Sequence, residues 1–100
     1  MEITHDIDNN KFLAKVDGYI AYVTYRINAG QLDIRHTIVP PEIGGRGIAA
    51  QLVKATYDYA LQQQLKPVAT CSYAVVWLQR HPEYKGQPGK DYRGCSTCAL

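Results

Sequence analysis

Val39-Pro40-Pro41-Glu42-Ile43-Gly44-Gly45-Arg46-Gly47-Ile48-Ala49-Ala50-Gln51-Leu52 is the stretch on which the reading of this chain turns. Residues before it alternate as strands do, residues after it repeat as a helix does, and three glycines with one arginine lie at the junction. Glycine permits a tight turn and a close approach of backbone to a ligand. The first N–H groups of a helix have no internal acceptor, and the helix dipole favours negative charge there. Such a loop at the mouth of a helix is a candidate cradle for a phosphate-like group.

Working outward toward the N-terminus, the period is two. Glu2 to Asp6 reads as a short strand, and Asp8-Asn9-Asn10 as a turn. Lys11 to Val16 follows as a strand with Phe12, Ala14 and Val16 on one face. Asp17-Gly18 is the strongest hairpin signal in the chain. Tyr19 to Ile27 and Gln31 to Val39 complete a four-strand meander, joined through Asn28-Ala29-Gly30. In the last strand, alternation puts Leu32, Ile34, His36 and Ile38 on one face.

On the C-terminal side the period changes. Ile48, Leu52, Ala55 and Tyr59 recur at helical spacing, which predicts a helix from about Gly47 to Gln63, stopped by Pro67. Val68 to Cys71 reads as a short buried strand, and Tyr73 to Arg80 as a second helix ended by Pro82. The order ββββαβα describes an α+β domain with a mostly antiparallel, mixed sheet, in which the strand after the long helix runs parallel to the one before it. The domain spans residues 1–84, and residues 85–100, with their Gly, Pro and Lys, read as a tail of little order.

Composition narrows the partners. One hundred residues make one domain, and 46% apolar with 20% charged residues excludes global disorder. A net charge of +2 is too small to imply nucleic-acid binding, so no nucleic-acid partner is expected. No apolar run approaches the roughly 20 residues of a membrane span, and no secretory leader pattern opens the chain, so no membrane partner and a cytoplasmic location are expected. Cys95-x-x-Cys98 has no second Cys or His pair at zinc spacing, so no metal is expected, and the two sulfurs read as incidental to a solvated tail.

Two familiar phosphate loops fail on context. No Gly-Lys-Ser/Thr follows the glycines, which excludes a Walker A loop. Gly45-x-Gly47-x-x-Ala50 matches a dinucleotide fingerprint, but an antiparallel meander precedes it and no acidic residue ends the next strand.

Gly44 to Ala49 (GGRGIA) resembles instead the pyrophosphate loop of the GNAT acetyltransferase superfamily, written Q/R-x-x-G-x-G/A. Gly47 and Ala49 match, Arg46 supplies a basic side chain within the loop, and Gly44 stands where Gln or Arg is usual. His36-Thr37-x-Val39 before the loop and Cys71-Ser72-Tyr73 after the helix are similar to the minimal YjdJ-type GNAT subgroup, and the likeness covers residues 10–84. The resemblance implies a GNAT-like fold and acetyl-coenzyme A as co-substrate. Gly44, Gly45, Arg46, Gly47, Ile48 and Ala49 would hold its diphosphate, and the strand reaching Ile38 and Val39 would carry its pantetheine arm. The acetyl group would lie where that strand parts from the next.

The resemblance further implies N-acetyl transfer: an amine attacks the thioester while a donor supplies the leaving thiolate with a proton. Aligning Ala74 with the Ala of the family pattern N-x-x-A-x-x-x-Y places Cys71 at the Asn and Leu78 at the Tyr, so the usual acid is absent. Tyr73 and Tyr84 are the alternatives. Cys71, opening the second helix, reads either as a buried packing residue or as an acid or acetyl acceptor whose pKa the helix terminus lowers. His36 reads as a hydrogen-bonded core histidine, with general base the lesser alternative, and Glu42 as a cap to the helix entrance. Larger GNAT proteins insert two helices between the first two strands, where this chain has only Asp8-Asn9-Asn10. An open acceptor side suits an exposed protein lysine or terminal amine. A non-catalytic acyl-CoA-binding module is the alternative reading, and a small interaction domain with no cofactor the third.

Overall fold

A computed structural model describes residues 2–88. The strands β1 (Glu2–Asp6), β2 (Lys11–Val16), β3 (Tyr19–Asn28) and β4 (Gln31–Ile38) form an antiparallel meander. Helix α1 (Ile48–Gln62) crosses to β5 (Lys66–Ala69), and α2 (Ser72–Arg80) leads to a two-residue β6 (Gln87–Pro88). All six strands lie in one sheet in chain order, the last two pairings being parallel. The expected mixed sheet and crossover are present. Strand β6 falls in the segment read as tail, and Cys95 and Cys98 lie outside the described residues.

The turns follow from residues that tolerate positive φ. Asp17 and Gly18 (φ 52° and 84°) close the β2–β3 hairpin, and Ala29 and Gly30 (54° and 77°) close β3–β4. Just past the end of α1, Gln64 (φ 59°) turns left-handed and Leu65 N–H bonds to the Ala60 carbonyl, so the chain reverses before Pro67 is reached. Pro67 is a buried residue inside β5, and that strand begins two residues earlier than its apolar run suggests.

The core lies between the sheet and α1, from Phe12, Ala14, Val23, Leu32 and Ile34 to Leu52, Val53, Tyr57 and Ala60. The buried stripe of α1 is Ile48, Leu52, Val53, Thr56, Tyr57 and Ala60, with Ala55 and Tyr59 only flanking it. Tyr57 is buried and donates to the Val68 carbonyl at 2.7 Å, tying the helix to β5. Helix α2 packs beside α1, with Trp77 against Tyr57 at 5.8 Å between ring centroids.

Among the described residues, no helix covers the other face of β1–β4. The register places Leu13, Tyr22 and Ile38 in one row across it and Lys11, Thr24 and His36 in the next. His36 is exposed, which corrects the expectation of a core histidine. The cause is a β-bulge: Thr24 pairs with His36 but Tyr25 with Ile34, so Arg35 is an extra residue in β4. One inserted residue swaps the faces of all that follow, and Thr37 rather than His36 becomes fully buried.

Candidate functional site

The loop is built by its local sequence. Pro40 and Pro41 lead into a single 3-10 turn whose Ile43 is buried, anchoring the loop in the core. Gly44 is extended, and Gly45 and Gly47 adopt φ of 78° and 74° on either side of Arg46. Gly47 is the N-cap of α1, and no side chain caps it. The first helical bond runs from Gln51 N–H to the Gly47 carbonyl at 3.2 Å, so the amides of Ile48, Ala49 and Ala50 have no acceptor within the helix. Backbone donors turned by alternating positive φ form an anion-binding concavity. Glu42 does not cap this helix; it is exposed in the preceding turn. Arg46 is half-exposed and paired with Asp17 of the β2–β3 hairpin, so its guanidinium is held beside the loop.

Beyond the loop, β4 and β5 part company. Their parallel ladder covers Gln31–Ile34 against Lys66–Ala69, and the Thr70 and Cys71 amides both donate to the Ile34 carbonyl at 3.0 and 3.1 Å. Past that point β4 continues through Thr37 and Ile38 on β3 alone while the chain turns into α2. At the opening, Cys71 is the N-cap of α2 and 1% exposed, with its Sγ 3.5 Å from Thr37 Oγ1. Cys71 is disulfide-bonded. Its sulfur therefore has no proton to give, the Thr37 hydroxyl is the donor to it, and thiol chemistry at this position requires the bond to be opened. On the sheet side, Thr70 donates to the Asp33 carboxylate at 2.8 Å, and Arg35 pairs with Asp33 at 3.1 Å.

A cavity of about 300 Å³ runs between the helices from the first turn of α1. Ala50, Gln51 and Lys54 form one wall, Tyr73, Val76 and Trp77 the other, with Arg80 and His81 at its end. The His81 ring stacks on Trp77 at 3.9 Å. An aromatic floor with cationic groups around it suits a flat, negatively charged ligand.

A family model for GCN5-related N-acetyltransferases matches residues 11–87, which takes in β2 to β5, the loop and both helices. The chain belongs to this family. Among relatives, Protein NATD1 of Homo sapiens is 32% identical over 89 residues, covering 82% of this chain and 75% of the relative. Protein NATD1 of Gallus gallus is also 32% identical, covering 82% and 77%. A GCN5-like protein of Staphylococcus aureus, solved in solution by NMR, superposes with a TM-score of 0.70 at 31% identity, covering 93% of this chain and 94% of that one.

As a GNAT domain, the chain places its candidate acids unevenly. Leu78 is buried, and a Cβ on Gly86 would fall 2.4 Å from its Cδ2, so the usual Tyr position is filled by packing. Tyr84 donates to Asp58 at 2.5 Å; burial first, then that bond and the Asp58 and Glu83 charges, push its phenol up to about 12. It is a strut between α1 and the 3-10 turn after α2. Tyr73 lines the cavity one residue into α2, and burial raises its pKa above the usual value despite Arg80 nearby. It keeps its proton at neutral pH and is a hydrogen-bond donor.

Ile38, Val39, the loop and the start of α2 thus gather at one end of the sheet, while His36 faces the open side. The residues that alternation did not reveal are Thr37, which only the bulge brings to the opening, and the Lys54–Trp77–Arg80–His81 cavity, which is assembled from separate helices.

Proposed function

We propose that this chain binds acetyl-CoA and transfers its acetyl group to an amine. The observation that carries the reading is the uncapped start of α1 behind Gly45-Arg46-Gly47, set beside the parting of β4 and β5. Ile48, Ala49 and Ala50 amides are free to receive a diphosphate, and the Arg46 guanidinium can turn from Asp17 to pair with it. The cavity along α1 fits the apolar, phosphorylated remainder, with Trp77 as its floor. Acetyl-CoA supplies an activated thioester. Ile38 and Val39 would guide its arm along β4 toward Thr37, Cys71 and Tyr73.

The acceptor amine would approach over the uncovered face, where Tyr22, Thr24, His36 and Ile38 lie together. Thr24 Oγ1 is buried there with no hydrogen-bond partner among the described residues, a polar group that a docked acceptor could satisfy. No helix among the described residues walls this side, which favours an exposed lysine or N-terminus of a protein over an enclosed small molecule. Tyr73, still protonated, would hydrogen-bond to the departing thiolate; with its pKa raised, it is a better donor than acid. In the reduced protein, Cys71 at the mouth of α2 is the alternative, accepting the acetyl group before the amine does.

The test is acetylation of a lysine-containing peptide by reduced protein, followed by mass spectrometry. Transfer that Cys71→Ala abolishes assigns the thiol a covalent part; transfer that survives assigns direct attack. Binding of acetyl-CoA without transfer to any amine supports instead a non-catalytic acyl-CoA-binding module, the reading that Leu78 at the Tyr position favours.

A further inference from the structure

The cavity between α1 and α2 starts at the loop and carries its charge further along. Ala50, whose amide has no acceptor within the helix, lines it together with Gln51. Lys54 follows one turn later, about 6 Å further along the axis than Ala50. On the opposite wall Tyr73, Trp77 and Arg80 recur at helical spacing and share one face of α2. The Arg80 charge is felt at the Tyr73 phenol, where it opposes the rise caused by burial, so the guanidinium lies on the cavity side. Among the described residues no acidic side chain lines the cavity.

Two details leave these groups open to a ligand. The Lys54 ammonium is bonded to Asp58 at 2.9 Å, in an exposed i, i+4 pair that contributes little in water and leaves further N–H donors unused. His81 Nδ1 lies 2.8 Å from the Trp77 carbonyl, which can only accept, so Nδ1 carries the proton of that bond and Nε2 faces away from it. Stacking on Trp77 at 16° between planes holds the His81 ring flat, with one face left to the cavity.

We infer that this end of the cavity reads the 3′-phosphate of coenzyme A, with Arg80 and Lys54 on the phosphate and the outer face of His81 against the adenine. The inference rests on the acetyl-CoA reading above. In that ligand a single ribose separates the diphosphate from the 3′-phosphate, as one helical turn separates the Ala50 amide from Lys54. A diphosphate on the first-turn amides of α1 therefore brings the second phosphate level with Lys54, and Arg80 meets it from α2. Contacts from two cations to a phosphate are charge-assisted, and a ribose hydroxyl in its place cannot replace them. Stacking of the purine adds affinity but is the same for both forms of the ligand. Arg80 and Lys54 thus make the site selective for coenzyme A thioesters over their 3′-dephospho counterparts.

The experiment is calorimetric titration of acetyl-CoA and of acetyl-dephospho-CoA into the full, reduced chain and into Arg80→Gln and Lys54→Gln. Both residues are exposed, so the variants keep the core intact, and thermal melts check that they do. Acetyl-CoA should bind the unaltered chain about tenfold more tightly than acetyl-dephospho-CoA, the size expected for one charge-assisted contact. Arg80→Gln should remove most of that difference and Lys54→Gln part of it, by weakening acetyl-CoA while acetyl-dephospho-CoA is unchanged. Equal affinity of the two thioesters for the unaltered chain overturns the inference and leaves the acetyl-CoA reading intact. Variants that weaken both thioesters alike also overturn it, because a structural role would do the same. Absence of binding by either thioester overturns both readings.

Discussion

Gly47 has two tasks that few other residue types can combine. Its φ of 74° starts α1 from the left-handed region, and its lack of a side chain leaves the helix amides open to a ligand. A Cβ there would meet nothing within 4 Å, so substitution brings backbone strain and no clash. Gly47→Ala should therefore cost about 1–2 kcal/mol in urea unfolding, and should weaken acetyl-CoA by reorienting Ile48 and Ala49. A variant of unchanged stability would mean that the loop relaxes freely. The glycines, Arg46 and Ala49 were legible in sequence because their chemistry is local. The exposure of His36 was not, because period-two alternation assumes a regular strand and Arg35 breaks it. The Cys71 disulfide was likewise hidden, since pairing depends on where the chain returns and not on spacing.

At the level of elements, two tyrosines fasten the helices. Tyr57 is buried, its pKa driven well up by burial and then by the Asp33 charge, so its hydroxyl remains a donor to Val68. Tyr57→Phe should lower stability by about 1–2 kcal/mol, the net value of one buried hydrogen bond with its acceptor left short. Acetyl-CoA affinity should change little, because β5 stays in the sheet. A large loss of affinity with unchanged unfolding would show that Tyr57 acts on the site. Element order and the parallel crossover were readable from the change in period between Val39 and Ile48. The ends of α1 and β5 were less so: Gln64 adopts a left-handed conformation ahead of Pro67, and the helix stops there.

Across the whole molecule, two groups give stability a pH dependence. Desolvation lowers the His5 pKa below 6.5, against the smaller pull of Asp6, and the protonated Tyr25 hydroxyl lies 2.6 Å from His5 Nε2. A folded pKa below the unfolded one means stability is complete above 6.5 and is lost as pH falls toward the folded value. His5→Gln should flatten that limb in thermal melts from pH 7.5 to 5; an unchanged slope would exclude His5 as its source. Burial alone would raise the Asp58 carboxyl, but bonds from Tyr84 and Lys54 hold it below 3.8. Its contribution is present above that value and lost as pH falls through the folded one. Because the carboxyl is partly exposed, the effect is small, and Tyr84→Phe should move this acid limb to higher pH. A limb that stays in place would separate Asp58 from acid unfolding.

The claim that joins these scales is that the Gly45–Gly47 loop receives the diphosphate of acetyl-CoA. Calorimetric titration of acetyl-CoA into the reduced chain, with Arg46→Ala alongside, tests it most directly. The account predicts one-to-one binding that the variant weakens about tenfold, as loss of one charge-assisted contact to a phosphate would. No heat at millimolar ligand, or equal affinity in the two proteins, would contradict it.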